Sequence, residues 1–153
     1  MLRIALAVLH LLGVAMALGA VFSRARALND VRDSATLHRG FTADNWWGIS
    51  AGLLIATGLW RAFGSLEKTS TYYWTNHVFY AKMGLFGLVF ALEIWPMITL
   101  LRWRAAERKG TLPPLETLHA TGKRIARISD VQTLLILGIV VAAVMMARGY
   151  GAR

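Results

Sequence analysis

Apolar residues dominate four long stretches of the chain, and none of the four shows the every-second-residue alternation of a half-buried strand. Residues 4–22 read IALAVLHLLGVAMALGAVF, residues 46–63 read WWGISAGLLIATGLWRAF, and residues 128–147 read ISDVQTLLILGIVVAAVMMA. The remaining stretch, 78–101, holds two formal charges, Lys82 and Glu93, in an otherwise apolar run. A membrane-crossing helix needs roughly 20 mostly apolar residues, and a continuous run of that length is a helix signal. The pattern predicts an all-α protein, an integral membrane four-helix bundle. It forms a single transmembrane domain over 1–153, with spans at about 4–22, 46–63, 78–101 and 128–147 and connections at 23–45 and 102–127.

Composition supports that reading. The chain is 56% hydrophobic, beyond the range of an ordinary soluble domain. It has no cysteine, which excludes disulfides, zinc–thiolate sites and thiol catalysis. A formal net charge of +9 would suggest nucleic acid in a soluble protein. Here the basic residues flank the apolar runs, which indicates membrane orientation and no nucleic-acid partner. Of the 17 lysines and arginines, eleven fall in the first and third connections, five at the termini and second connection (counting Arg61, at the end of the second span, with that connection), and Lys82 well inside a span. The positive-inside rule then places both termini on the periplasmic side of a bacterial inner membrane, with the two basic connections in the cytoplasm. The first span resembles a secretory signal, with Arg3 before it and ALGA near its end. Arg24 and Arg26 follow it directly, in the manner of a stop, so retention is expected. Trp46, Trp47, Trp60, Tyr72, Tyr73 and Trp74 lie near expected span ends, as interfacial aromatics do.

The connections have structure of their own. LRWRAAERKG is expected to continue the third helix to Gly110, and Pro113–Pro114 to make a turn. A further helix is expected from Pro114, with Glu116 in its first turn. Their basic residues suit a surface facing anionic lipid. Gly13, Gly19, Gly48, Gly52, Gly58, Gly84 and Gly87 are expected to let helices pack closely.

The ionisable groups inside the apolar runs are the candidate chemistry. His10 and Lys82 lie at similar depths from the outer side, and His77 is near the same interface, so the three are a candidate cofactor-binding group. Each also has a plainer reading: His10 bonding a neighbouring helix, Lys82 snorkelling outward, His77 sitting at a helix start. His38 and His119 read as surface histidines. Glu93 follows Lys82 by eleven residues, about 16 Å along the axis and about 20° past three full turns. The two share a helix face and cannot pair with each other. A charge at span depth needs a partner. For Glu93 the candidates form an inner cluster of Arg24, Arg26 and Arg127, with Asp44 and Asp130 at the same side. An internal ion pair and a proton or substrate role both fit Glu93. Pro96, three residues on, removes an amide donor and frees the Leu92 carbonyl beside it.

HLLGVAMALGAVFSRARAL, ADNWWGISAGLLIATGLWRAFG, KMGLFGLVFALEIWPMITLLRWR and RIARISDVQ together resemble an uncharacterised bacterial family of four-span inner-membrane proteins. That resemblance covers nearly the whole chain and implies a topology and no activity. His10, Arg26, Lys82 and the stretch AGLLIATGLW are also similar to the HemJ-type membrane protoporphyrinogen IX oxidase, another four-span bundle. This second resemblance implies haem b, with His10 as the metal ligand and His77 or Lys82 as a second ligand or a charge near a propionate. EIWP around Glu93 lies outside it. Two function classes follow. One is a haem-binding or redox membrane protein. The other is a non-catalytic subunit or binding module, as a homo-oligomer or in a larger membrane complex, since no complete catalytic constellation is present. A small transporter is a third.

Overall fold

The computed structural model describes residues 1–63 and 76–151, the side chains of Ala62 and Phe63 excepted. Four helices account for nearly all of it: α1 (Leu2–Asn29), α2 (Ser34–Phe63), α3 (His77–Arg108) and α4 (Leu115–Ala147). They contain 28, 30, 32 and 33 residues. At about 1.5 Å per residue each exceeds the ~30 Å of a bilayer's hydrocarbon core. The helices therefore outrun the expected spans. The first connection shortens to residues 30–33, because helical hydrogen bonding continues until side chains end it. Asp33 does so before α2: its Oδ1 accepts from the Thr36 amide at 2.8 Å, and its own amide donates to Thr36 Oγ1 at 3.2 Å. Hydrogen bonds from Thr36 hold the Asp33 carboxyl below its ordinary pKa. α3 ends at Arg108 with Lys109 as its cap, just before the expected Gly110, whose φ of 67° is the left-handed conformation glycine accepts. α4 then starts after Pro114, with Glu116 in its first turn.

α1 packs along both α2 and α4, and α4 packs along α3, while α2 and α3 barely touch. At the basic end, which carries the α1–α2 and α3–α4 turns, Leu28, Val31, Leu37, Phe41, Leu100, Trp103, Leu118 and Ile125 form one core cluster. A second, of Ala17, Ala20, Val21, Trp47, Val89 and Ile136, lies further along the bundle. Trp47 is thus a core residue, where the sequence reading put it at an interface. Trp46 and Trp60 are exposed, and Tyr72, Tyr73 and Trp74 lie outside the described residues. Large apolar side chains cover the exterior, among them Leu11, Ile49, Ile94, Leu134 and Val141. A surface of that kind suits lipid rather than water.

Among the described residues three helices, α1, α3 and α4, are long and apolar enough to cross a membrane. The expected second span falls on α2, where Ser50, Thr57 and Arg61 interrupt the run and make it the weaker apolar stretch.

The glycines divide differently from the sequence reading. A Cβ added at Gly19, Gly48, Gly52, Gly84 or Gly87 would meet nothing within 4 Å, whereas at Gly13 it would lie 3.2 Å from Leu54 and at Gly58 3.6 Å from His10. At Gly40 a Cβ would meet the end of the Leu28 side chain, whereas at Gly122 it would meet backbone, 2.5 Å from the Leu28 carbonyl oxygen.

The far end is tied by Asn76. Its buried Oδ1 accepts from the amides of Val78 and Phe79 at 2.9 and 3.2 Å, capping α3, and its Nδ2 donates to the Tyr150 carbonyl at 3.2 Å. Gly151, at φ 82°, packs on it so closely that a Cβ would lie 2.6 Å from Oδ1. Asn76→Ala is expected to cost about 1–2 kcal/mol in thermal unfolding of the detergent-solubilised protein. Asn76→Asp, which keeps the cap and loses the amide donor, should fall between; an unchanged midpoint for the alanine variant would refute the tie.

Candidate functional site: a buried charge network

The buried positions of α1 include Ala17, Val21, Arg24 and Leu28, a spacing of three or four residues that makes one helix face. The face that packs the core therefore also carries an arginine into it. Arg24 is wholly buried. Its guanidinium has five N–H donors, and all five are bonded. Nε donates to Ser129 Oγ at 3.1 Å. Nη1 donates to Asp44 Oδ1 at 2.9 Å and Glu93 Oε1 at 2.6 Å. Nη2 donates to Glu93 Oε2 at 2.7 Å and Gln132 Oε1 at 2.9 Å. The pairing with Glu93 is bidentate, the strongest geometry available to these groups.

The network extends in two directions. Gln132 Nε2 returns a hydrogen bond to Glu93 Oε2 at 2.8 Å and donates to the Val89 carbonyl at 3.1 Å, one turn before Glu93. Asp44 uses its second oxygen to accept from Arg104 Nη2 at 2.9 Å. Arg104 also donates to Asn45 Oδ1 at 2.7 Å and the Phe41 carbonyl at 2.9 Å, and its guanidinium lies 5.1 Å from the Phe41 ring centroid. Arg24, Arg104, Asp44 and Glu93 thus form a chain of formal charge zero across α1, α2 and α3, and Ser129 and Gln132 join α4 to it. It is also the main polar bridge between α2 and α3. Pro96, buried inside α3, lies three residues beyond Glu93 without ending the helix.

Of the expected inner cluster, the structure brings together Arg24, Glu93 and Asp44. Arg26, Arg127 and Asp130 are exposed and stand outside the network. The cause is helical phase: two residues turn about 200° and one about 100°. Arg26 therefore points away from Arg24, and Arg127 and Asp130 away from Ser129. Arg104, Ser129 and Gln132 escaped the sequence reading. Ser129 and Gln132 are three apart in ISDVQTLL, on one face of an otherwise apolar run, and that spacing was the available signal.

The outer group is looser. His10 Nδ1 lies 2.8 Å from Thr57 Oγ1, and Thr57 donates its hydroxyl proton to the Leu53 carbonyl at 2.7 Å. With the Thr57 proton committed to Leu53, Nδ1 is the donor in this bond. Lys82 is half-buried on α3, and His77 is exposed as the first residue of α3, its amide donating to the Gly151 carbonyl at 3.3 Å. The Thr57 bond joins His10 to α2. Among the described residues no group of three or more acidic or histidine side chains is arranged to hold a metal ion.

No curated protein and no solved structure matches the chain. A family model does, that of the predicted membrane protein family DUF2214, over residues 2–151. With an all-helical fold, an apolar exterior and a match across almost its full length, the chain belongs to the DUF2214 family of membrane proteins.

Proposed function

We propose that the chain is a four-span protein of a bacterial inner membrane, with both termini on the periplasmic side, that serves as a non-catalytic subunit or binding module. The bias of lysine and arginine toward the α1–α2 and α3–α4 connections supports the orientation. α2, 30 residues long and packed along α1, supplies the fourth span. One observation carries the functional reading: every donor of Arg24 is committed inside the chain, and Glu93 is held by a bidentate pair. A carboxylate clamped in this way is a helix fastener rather than a proton carrier, which also argues against a small transporter. In proteoliposomes under an imposed pH gradient, wild type and Glu93→Gln should show the same proton flux, while Glu93→Gln unfolds at a lower temperature. Proton-coupled flux abolished by Glu93→Gln at unchanged stability would overturn the reading.

A second reading rests on His10. A hydroxyl holding Nδ1–H orients the ring and directs Nε2 as a ligand, the arrangement common around metal-bound histidines. His10 would hold haem b from one side. If this is correct, hemin added to the purified protein gives a Soret band that His10→Ala removes and Thr57→Val shifts. No band in the wild type excludes haem.

A further inference from the structure

The sequences Arg24-Ala25-Arg26 on α1 and Arg102-Trp103-Arg104 on α3 each set two arginines two residues apart. A separation of about 200° sends one inward and one outward. Arg24 and Arg104 enter the network; Arg26 and Arg102 are exposed. α4 repeats the arrangement, with Ser129 bonded to Arg24 and Arg127, two residues earlier, exposed. Among the described residues none of the three outward arginines has a carboxylate partner. Each also ends an exposed apolar stripe on its own helix: Leu11 and Phe22 lead to Arg26, Trp95 and Ile98 to Arg102, and Leu134 and Val131 to Arg127. The Arg26 guanidinium lies over the Phe22 ring at 4.9 Å.

We propose that Arg26, Arg102 and Arg127 form a belt that binds the headgroups of anionic phospholipids, whose acyl chains lie along the three stripes. The inference rests on the membrane reading above, and is independent of which leaflet the basic end faces. A guanidinium offers a phosphate two parallel N–H donors, and the inner charges cancel among themselves, so the belt's charge is left for an outside partner. An apolar stripe that ends at a guanidinium matches a ligand made of a phosphate and an acyl chain. Free phosphate or nucleic acid would use only the charge.

Native mass spectrometry and thermal unfolding of the detergent-purified protein test the proposal, with phosphatidylglycerol, phosphatidylcholine and inorganic phosphate as probes. Phosphatidylglycerol is expected to bind in preference to phosphatidylcholine and to raise the unfolding midpoint. Each arginine changed to glutamine should weaken that binding about fivefold. The double variant R26Q/R127Q should lose the preference, while R3Q/R148Q, with the same change of charge at the opposite end, keeps it. The single variants R26Q and R127Q give the same comparison if the double does not fold. Equal binding of the two lipids by wild type, inorganic phosphate matching phosphatidylglycerol, or an equal loss in R3Q/R148Q overturns the belt. Retention in the membrane fraction after an alkaline wash tests the membrane reading separately. A protein retained there yet indifferent to phosphatidylglycerol refutes the belt alone.

Discussion

Replacing Arg24 with leucine should destabilise the detergent-solubilised protein by about 3–5 kcal/mol, the usual cost of removing one partner from a buried ion pair. The physical reason is what stays behind. Glu93 and Asp44, with side chains only 12% and 10% exposed, would face the same apolar gap with a single cation, Arg104, beside Asp44. Ser129 and Gln132 would each lose a hydrogen-bond donor. Arg24→Lys should fall between the two, because an ammonium supplies three donors from a single point and cannot grip Glu93 with two parallel bonds. Thermal unfolding of the three proteins side by side measures the order. A leucine variant as stable as the lysine variant would show that charge and donor geometry at this position carry no weight.

The second large effect is expected at Gly122. An alanine there would place its Cβ 2.5 Å from the Leu28 carbonyl oxygen and 3.2 Å from Val31 Cγ2. The end of a side chain can swing aside, but the Leu28 carbonyl can move only with the last turn of α1, so either that turn shifts or α1 and α4 separate there. Ser129 and Gln132 lie within three turns of Gly122 on α4, and their bonds to Arg24 would lengthen with the separation. Gly122→Ala should cost about 1–3 kcal/mol, the range for overpacking a core. Gly48→Ala is the matched control. It faces open space and should leave the unfolding midpoint unchanged or slightly higher. If the two variants lose stability equally, close approach at Gly122 is not what makes it necessary.

These two sites also show what was legible in the sequence. The helices were, because long apolar runs without alternation admit few other structures in a membrane. Glu93 was, because a carboxylate in such a run demands a cation, and Arg24 stood at the right end of the first span. The selection of Arg24 over Arg26 required helical phase to be carried past the apolar run. Treating residues 23–45 as a connection broke that phase, whereas α1 continues to Asn29 and keeps Arg24 in register with Ala17 and Val21. Arg104 was hidden for the same reason, lying beyond the third apolar run on a helix that continues to Arg108. Gly122 was not legible. A glycine in a basic segment looks like any other until the neighbouring helix is in place, while Gly48 and Gly52 have the spacing of a packing motif and face outward. Trp47 shows the same limit: it and Trp46 are adjacent, and only the position of α1 decides which is core. Thr57 became visible as a partner for His10 only once α1 and α2 were packed together.

The claim that the charge network fastens the bundle is tested most directly by a double-mutant cycle on Arg24 and Glu93. Unfolding free energies would be compared for wild type, Arg24→Leu, Glu93→Leu and the double variant in one detergent. A direct, buried, bidentate pair predicts a coupling of about 2–3 kcal/mol. The double variant should lose less than the sum of the two single losses, because Asp44 keeps Arg104 and no charge is left alone. Single losses that add to within about 0.5 kcal/mol would contradict it.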